Sequence, residues 1–178
     1  MEVFLVRHTT PLVPQGICYG QTDLDVTDTF ETEAQIVKEK LRGFTFSEVY
    51  SSPLKRCVKL AGYCGYVNPK LDRRLMEKNF GDWEMTAWDD IKGREAEMWY
   101  ANWVEQAPPK GESLIQQYER MKEFFDDLKQ LYPISSSPVL IFTHGGIQTL
   151  AGVYAGLYPL KECFEHTFPY GSIVKLSL

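Results

Sequence analysis

The sequence predicts an α/β fold in which helices cover both faces of a largely parallel sheet. Two uninterrupted apolar runs, at 3–6 and 139–142, have the length and composition of strands that are buried on both sides. Segments of helical length alternate with the predicted strands, and this alternation is typical of parallel sheets. Because 178 residues are enough to bury a hydrophobic core, we expect one domain that spans residues 1–178.

The other elements follow from weaker patterns along the chain. Residues 48–50 form a short strand candidate, and 173–176 form a candidate for the last strand. Ser52 and Pro53 fit a helix start, because serine can cap free amides and proline tolerates the first helical position. Gly145 and Gly146 allow a sharp turn between the strand before them and the helix that follows. The predicted helices lie at approximately 31–42, 54–64, 86–103, 112–131 and 147–156.

Charge and hydropathy argue against two classes of partner. The formal net charge is -5, whereas proteins that bind a nucleic-acid backbone or an anionic membrane need a basic surface. No apolar stretch approaches the roughly 20 residues that span a bilayer. The four cysteines include no closely spaced pair, and no export signal precedes the first apolar run. We therefore expect a cytoplasmic protein with free thiols and no nucleic-acid or membrane partner; its oligomeric state stays open.

Two of the three histidines stand at the ends of the two strongest strand candidates. His8 follows the run at 3–6 and His144 follows the run at 139–142, and ligands of open α/β sheets bind outside such strand ends. Arg7 precedes His8, and Arg56 lies in the first turn of the helix that is predicted after the strand candidate at 48–50. A guanidinium group matches phosphate oxygens with two parallel hydrogen bonds, and helix N-termini add free amides. These side chains together predict a site for a dianionic phosphoryl group.

The chemistry of such a site follows from the properties of histidine. Nearby positive charge depresses the pKa of a histidine and favours its neutral form, so that His8 can attack phosphorus. His144 can donate to the equatorial oxygens as negative charge shifts in the transition state. An alkoxide leaving group still needs a proton. Glu77 is the candidate donor, and the residues alone leave Asp82 and Glu84 open as alternatives.

A metal site is the first rival interpretation, since His8, His144 and Glu77 match a ligand set of two histidines and one carboxylate. The two arginines beside these residues would repel a divalent metal, so we expect neither a metal nor another cofactor. Cys163 and His166 stand three positions apart and supply at most two ligands of an incomplete metal pattern. We therefore expect His166 to be structural.

Four segments resemble the motifs of the histidine phosphatase superfamily and occur in that family's order. They are 5–9 (LVRHT), 51–57 (SSPLKRC), 75–84 (LMEKNFGDWE) and 143–146 (THGG). The resemblance implies a three-layer α/β/α sandwich with a mostly parallel central sheet and metal-independent hydrolysis of a small-molecule phosphate ester. It also implies His8 as the phosphorylated nucleophile, Glu77 as the proton donor, and a phosphate pocket of Arg7, Arg56 and His144.

Within that superfamily, segments 7–11, 16–23 and 108–113 resemble the α-ribazole phosphatase branch, which serves cobalamin nucleotide-loop assembly. The reaction that this resemblance implies is hydrolysis of α-ribazole 5'-phosphate to α-ribazole and phosphate. It further implies that the substrate is contacted by Tyr19, Gly20, Gln21 and Gly145.

Two residues depart from the superfamily's pattern. Thr9 stands where most members carry a glycine, and it is shared with the α-ribazole phosphatase branch. Met85 replaces the glycine that usually follows the Trp-Glu pair, which leaves the shape of the following loop undetermined.

All four tryptophans fall within residues 83–103. An aromatic cover of this kind can stack on a flat base such as benzimidazole. Trp88, Ile91, Trp99 and Trp103 nevertheless approximate helical spacing, so we predict that this cluster packs in the core or in a lid.

Other functions stay open on the sequence alone. The resemblance also allows a broad-specificity phosphatase, or a phosphoglycerate mutase-type enzyme that returns the phosphoryl group to a substrate hydroxyl. A family member without catalysis would bind phosphorylated ligands or a partner protein. Because a bare binding module has no evident need for Glu77, we favour hydrolysis.

Overall fold

The computed structural model describes residues 1–132 and 137–178 of the chain. Five strands and five α-helices lie within these residues and alternate except where α4 follows α3 directly, and short 3-10 turns lie between some of them. In chain order the elements are β1 (Glu2–Arg7), α1 (Phe30–Leu41), β2 (Glu48–Ser51), α2 (Lys55–Tyr63), β3 (Lys70–Leu71), α3 (Arg94–Ala101), α4 (Leu114–Leu131), β4 (Val139–Thr143), α5 (Gly145–Tyr154) and β5 (Ile173–Ser177).

The strands form one sheet in the order β3-β2-β4-β1-β5. β1, β4, β2 and β3 run parallel to their neighbours, and β5 pairs with β1 in the antiparallel direction. The prediction of a mostly parallel sheet is therefore confirmed. β3 has two residues at the edge of the sheet and was not predicted, because it is too short to show a pattern.

Helices cover both faces of this sheet, as predicted. Alternate residues of β1 and β4 point to opposite sides: Val3 and Ile141 pack among residues of α4 and α5, whereas Phe4 and Phe142 pack among residues of α1 and α2. Both central strands are thus buried on two sides, which explains their uninterrupted apolar sequences. The result is a three-layer α/β/α sandwich, and no helix within residues 1–132 or 137–178 is long and apolar enough to cross a membrane.

Four of the five predicted helices are present with boundaries within a few residues, but the helix predicted over 86–103 is wrong. The chain forms a short 3-10 turn at Trp88–Asp90, and α3 begins only at Arg94. Gly93 separates the two pieces with a φ of 93°, a left-handed conformation that glycine tolerates and that interrupts a helix. The tryptophan spacing therefore belongs to a folded aromatic cluster and not to one continuous helix.

The start of α2 also differs from the prediction. The helix begins at Lys55, and Leu54 occupies the capping position without a side-chain hydrogen bond. Pro53 thus precedes the helix. The hydroxyl of Ser52 accepts a 3.4 Å hydrogen bond from the Leu54 N–H, and its stronger contact is with His144.

Met85 settles the shape of the loop that its sequence left undetermined. It adopts a left-handed conformation with a φ of 66°, and its N–H donates to the carbonyl of Cys18 at 2.8 Å. The loop therefore keeps the turn that a glycine would make, although this conformation costs a residue with a Cβ roughly 1–2 kcal/mol.

Candidate active site

Parallel strands bring the two predicted histidines to one edge of the sheet. β1 and β4 pair in register with Arg7 opposite Thr143, so the next residue of each strand is His8 or His144. The His8 N–H donates to the Thr143 carbonyl at 3.0 Å, and the two imidazole rings lie 5.1 Å apart between centroids. Both histidines are buried.

The backbone determines which nitrogen of His8 carries the proton. Nδ1 lies 2.7 Å from the carbonyl oxygen of Thr9. A carbonyl oxygen can only accept a hydrogen bond, so Nδ1 is the protonated nitrogen and Nε2 keeps its lone pair. The Nε–H of Arg56 points at this lone pair from 3.3 Å. His8 therefore presents a nucleophilic nitrogen beside a fixed cation.

Arg56 is fully buried, and backbone carbonyls orient it. Its Nη2 donates to Gly20 at 2.6 Å and its Nη1 donates to Thr22 at 3.0 Å. The guanidinium therefore stays beside His8, and no carboxylate of residues 1–132 or 137–178 pairs with it. A buried cation that is not neutralised by a protein anion is suited to an anionic ligand.

Arg7 lies on the other side of His8 and retains a free donor. Its Nη1 donates to the Phe168 carbonyl, and the ring of Tyr170 covers the guanidinium at 4.0 Å from its centroid. Its Nε and the hydroxyl of Thr9 are both buried without a hydrogen-bond partner in the described residues. Buried polar atoms are rarely left unpaired, so these two indicate a place for a bound group.

The ring of His144 is oriented by Ser52. Nε2 of His144 lies 2.8 Å from the Ser52 hydroxyl, and the thiol of Cys57 lies 3.5 Å from the same nitrogen. Ser52 follows β2 on the same sheet edge, where its N–H donates to the Phe142 carbonyl at 2.9 Å. Three neighbouring strand ends thus hold the two histidines.

Burial is the main cause of the low pKa values of both histidines. Burial first, and the charge of Arg56 second, hold the pKa of His8 well below its usual 6.5. The same two causes lower the pKa of His144. Positive charge, from which the sequence predicts this shift, is the smaller cause, and removal from water is the larger one. Both imidazoles are therefore neutral at pH 7.

Because both histidines are neutral in the folded chain, we expect the stability of the fold to decrease in acid. In the unfolded chain both take up a proton as the pH falls below about 6.5, whereas in the folded chain they stay neutral. The unfolded state then binds more protons, so the free energy of unfolding decreases as the pH falls, by at most about 1.4 kcal/mol per pH unit for each histidine. Thermal melting should show a decline in melting temperature from pH 6.5 to 5.5 that is steeper than any decline from pH 8 to 7.

The His8→Asn variant is the control for this effect. It removes one of the two titrating groups, so the decline between pH 6.5 and 5.5 should be about half as steep as in the wild type. A melting temperature that is constant over this range would show that the buried histidines are not held neutral.

Glu77 lies beside the first turn of α5, and its carboxylate accepts hydrogen bonds from three N–H groups. Its Oε1 accepts from the Lys78 N–H at 2.9 Å and from the Gln117 amide at 3.1 Å. Its Oε2 accepts from the Gly146 N–H at 3.1 Å. A Cβ on Gly146 would lie 2.2 Å from Oε1, so the glycine permits the carboxylate to approach α5 this closely.

Glu84 and Asp82, the two alternative candidates for the proton donor, bind other groups. Glu84 accepts the N–H groups of Gln21 and Phe80 at 2.8 and 3.2 Å, and it also binds Thr22. Glu84 therefore connects the loop around Gln21 to the turn that precedes Glu84 in the chain. Asp82 pairs with Lys110 at 3.0 Å on the exposed surface. Glu77 is the one of the three that lines the cavity beside Arg7.

This cavity has a volume of about 230 Å³, and Arg7 and Glu77 border it. Most of its wall is apolar, formed by Ile17, Phe80, Trp88, Leu114, Leu150 and Phe164. Members of the aromatic cluster therefore differ in what they contact. Trp83 and Trp99 pack against each other at 5.5 Å between centroids, and Trp88 lines the cavity.

The predicted substrate-contacting residues take different positions around this cavity. Tyr19 lines its wall, and the hydroxyl of Tyr19 bonds that of Tyr170 at 2.6 Å. Gly20 lies against the chain at Lys78, where a Cβ would come 1.7 Å from a carbonyl oxygen. Contacts of Tyr19, Gly20, Gln21 and Gly145 with a substrate stay predictions.

Gln21 and Gly145 each contact another residue of the predicted site. The Gln21 amide donates to the Glu77 carbonyl at 3.1 Å. Gly145 packs against Arg7, because a Cβ there would lie 2.9 Å from the guanidinium carbon.

Sequence reasoning missed Gln117 and Arg120, which position Glu77. Arg120 donates to the carbonyls of Arg74, Met76 and Glu77 at 2.7, 2.8 and 3.0 Å. Gln117 is buried in the first turn of α4. A polar residue at an inward position of an amphipathic helix was the available signal for Gln117, because the apolar pattern of 114–131 places it on the core side.

The described part of the chain does not assemble the rival metal site. No group of three or more histidine, cysteine, aspartate or glutamate side chains within residues 1–132 and 137–178 is placed to hold a metal ion. Cys163 is buried, and the ring of His166 stacks on Tyr158 at 3.8 Å between centroids. This stacking gives His166 a structural contact.

Comparisons with known proteins show what this chain is similar to. The sequence model of the histidine phosphatase superfamily (branch 1) matches residues 3–178. A probable phosphoglycerate mutase from Photorhabdus laumondii is 29% identical over 167 residues, which cover 88% of this chain and 76% of that protein.

Two solved structures illustrate the likeness in three dimensions. TTHB049 from Thermus thermophilus is 30% identical, with a TM-score of 0.75 over 98% of this chain and 92% of that one. A putative alpha-ribazole-5'-P phosphatase from Escherichia coli has a TM-score of 0.88 over 98% of this chain and 89% of that one. Its sequence is 22% identical, so this second likeness concerns the fold alone.

Proposed function

Because the chain belongs to the histidine phosphatase superfamily (branch 1), we propose that it hydrolyses a small phosphate ester through a phosphorylated His8. Enzymes of this superfamily act as phosphatases or mutases on phosphate esters, and the chain is one of them. The proposal concerns which residues carry the reaction and which ester is hydrolysed.

One observation carries the proposal: His8 presents an unprotonated Nε2 to Arg56, and neither Arg56 nor Arg7 forms an ion pair within residues 1–132 and 137–178. Its Nδ1 proton is held by the Thr9 carbonyl at 2.7 Å. Arg56 reaches Nε2 at 3.3 Å. The two residues that flank His8 in the chain also carry buried donors, the Nε of Arg7 and the hydroxyl of Thr9, which have no hydrogen-bond partner in the described residues. A phosphoryl group on Nε2 would meet these donors with its oxygens.

The first half of the reaction transfers the phosphoryl group to the enzyme. Nε2 of His8 attacks phosphorus, and the bond from phosphorus to the ester oxygen breaks. The leaving oxygen takes a proton from Glu77, which the three N–H donors hold at the cavity. Arg7, Arg56 and His144 stabilise the charge on the equatorial oxygens. The phosphorylated imidazole keeps its Nδ1 proton and its bond to Thr9.

The second half returns the enzyme to its starting state. Glu77 is now ionised, so it can take a proton from a water molecule that attacks phosphorus. The bond from phosphorus to Nε2 breaks, and the imidazole regains its lone pair. Inorganic phosphate leaves, and Glu77 again carries the proton that it donated. No metal or other cofactor takes part in these steps.

The substrate that we propose is α-ribazole 5'-phosphate. The segments at 7–11, 16–23 and 108–113 support it by their resemblance to that branch. The cavity beside Arg7 and Glu77 supports it as well, because its apolar and aromatic wall suits a flat base. This base would bind away from phosphorus and help to position the ester for in-line attack.

A panel of esters assayed with EDTA tests this substrate. We expect the kcat/KM of α-ribazole 5'-phosphate to exceed that of ribose 5-phosphate and of 3-phosphoglycerate by about tenfold or more, because base binding contributes to positioning. Ribose 5-phosphate should show a lower kcat as well as a higher KM. Equal efficiencies for the three esters would replace this assignment by a broad-specificity phosphatase and would leave the His8 chemistry intact.

A mutase is the second candidate, favoured by the similarity to the probable phosphoglycerate mutase from Photorhabdus laumondii. Both reactions share the phosphorylated histidine and differ in the acceptor, which is water or a substrate hydroxyl. Incubation with 3-phosphoglycerate distinguishes them: a mutase forms 2-phosphoglycerate, whereas a phosphatase releases inorganic phosphate.

A further inference from the structure

Lys78 is a buried cation that the chemistry described above does not use. Only 4% of its surface is exposed, and it lines the cavity between Glu77 and the aromatic cluster. Within residues 1–132 and 137–178 its ammonium group makes no hydrogen bond and no ion pair. The ammonium lies over the rings of Phe80 and Trp99, at 5.6 and 5.3 Å from their centroids.

The two carboxylates near Lys78 are committed to other donors. Glu112 pairs with Arg120 at 2.6 Å and accepts the Asn79 N–H at 2.8 Å. Glu77 accepts its three hydrogen bonds from the backbone and Gln117. The ammonium of Lys78 therefore keeps its donors available at the cavity that the residue lines.

The protonation state of Lys78 agrees with this placement. Burial lowers the pKa of Lys78 to about 8, and the charges of Glu112 and Glu77 partly oppose this shift. The side chain is still mostly cationic at pH 7 and has three protons to donate. Cation–π contacts at such distances stabilise an ammonium by about 0.5–2 kcal/mol, less than the cost of burying an unpaired charge.

We propose that Lys78 recognises the leaving group of the substrate by donating a hydrogen bond to an acceptor on a flat, largely apolar ring system. The apolar and aromatic wall of the cavity selects the ring, and the buried ammonium selects a ring that carries an acceptor. Two chemical sources of this acceptor are a ring nitrogen and a carboxylate. The inference rests on the proposed phosphatase activity and assigns a specificity-determining residue to it.

Two aryl phosphates that differ in one atom test this role. The ester 2-naphthyl phosphate has a flat bicyclic leaving group without an acceptor, and 6-quinolinyl phosphate replaces one ring carbon by nitrogen. A third ester, 6-carboxy-2-naphthyl phosphate, supplies a carboxylate. Each is assayed at pH 7 with wild type, Lys78→Met and Lys78→Arg. Because each ester is compared between enzymes, the intrinsic reactivity of its leaving group cancels.

The methionine variant keeps the length and apolar stem of the side chain and removes its donors. We expect it to lower kcat/KM for at least one acceptor-bearing ester about tenfold to a hundredfold, since hydrogen bonds to charged groups are the stronger ones. The naphthyl ester should change by less than about threefold. The larger loss, on the quinoline or on the carboxylate, identifies the source of the acceptor, and Lys78→Arg should restore part of it.

Equal changes in all three esters would overturn the inference and leave Lys78 as a packing residue. Lys92→Met is the matched control, because Lys92 is exposed and lies outside the cavity lining; it should leave all three ratios unchanged. The proposed phosphatase activity is tested separately by comparing wild type with His8→Ala on the naphthyl ester. The ring system of this ester has no acceptor for Lys78.

A measurement on the wild type keeps the inference testable if Lys78→Met does not fold. The alcohols 6-hydroxyquinoline, 6-hydroxy-2-naphthoic acid and 2-naphthol are compared as inhibitors. At least one acceptor-bearing alcohol should inhibit about tenfold more strongly than 2-naphthol. Equal inhibition constants would overturn the inference without any variant.

Discussion

Replacing His8 with alanine is expected to abolish turnover while the fold persists. His144 is the other neutral imidazole of the described site, but its Nε2 lies 2.8 Å from the Ser52 hydroxyl and its Nδ1 lies 4.0 Å from the Cys57 thiol. Only His8 presents its free nitrogen to Arg56 within this site, so we expect no other group to accept the phosphoryl group. Removal of a covalent nucleophile typically costs on the order of 10⁴-fold or more in kcat. The measurement is release of inorganic phosphate from an alkyl phosphate, with circular dichroism to verify folding.

The matched control is the third histidine. His166 stacks on Tyr158 and is exposed, so His166→Asn should retain nearly full activity. A second readout follows the intermediate: enzyme quenched in base during turnover should keep a phosphoramidate label, and enzyme quenched in acid should lose it. Hydrolysis by His8→Ala close to the wild-type rate would end the covalent mechanism.

Replacing Glu77 with glutamine is expected to slow alkyl esters far more than activated aryl esters. An aryloxide leaves without much help from a proton, whereas an alkoxide needs one. General acid catalysis contributes about a hundredfold to ten-thousandfold, so kcat for an alkyl phosphate should fall by that factor. The kcat for 4-nitrophenyl phosphate should fall much less, although loss of the base for the second half-reaction also affects it.

Asp82→Asn serves as the control for this experiment. Asp82 belongs to the same segment of sequence but pairs with Lys110 on the surface, so its removal should affect neither ester. Equal losses for alkyl and aryl esters in Glu77→Gln would assign a structural role to Glu77. The loss would then reflect its bonds to Gly146 and Gln117 and not a proton transfer.

Much of the fold was readable from the chain because its signals are local. The runs at 3–6 and 139–142 are apolar at every position since β1 and β4 are covered on both faces. The prediction failed over 86–103, where tryptophan spacing suggested one helix and Gly93 breaks it. The aromatic residues there are held by packing among distant segments, and sequence periodicity does not distinguish such packing from a helix.

The sequence by itself determined four of the five strands and their mostly parallel arrangement, the strand ends that carry His8 and His144, and the chemical character of the site. These follow from patterns within a few residues and from the rule that ligands bind at the carboxyl ends of parallel strands. Its motifs also indicated Glu77 among three carboxylates, but only by resemblance. Local sequence contains no distance between segments that lie far apart in the chain.

The tertiary structure alone decided what each of these residues touches. It placed Gln117 of α4 on Glu77 and bonded Glu84 to the loop at Gln21. Among the described residues it left the ammonium of Lys78 without a hydrogen bond at the cavity. It also fixed the free nitrogen of His8 through the carbonyl of Thr9. Each of these contacts depends on how β1, β4, α4 and α5 pack together. Hydrogen bonding and burial, which control reactivity, arise only from that packing.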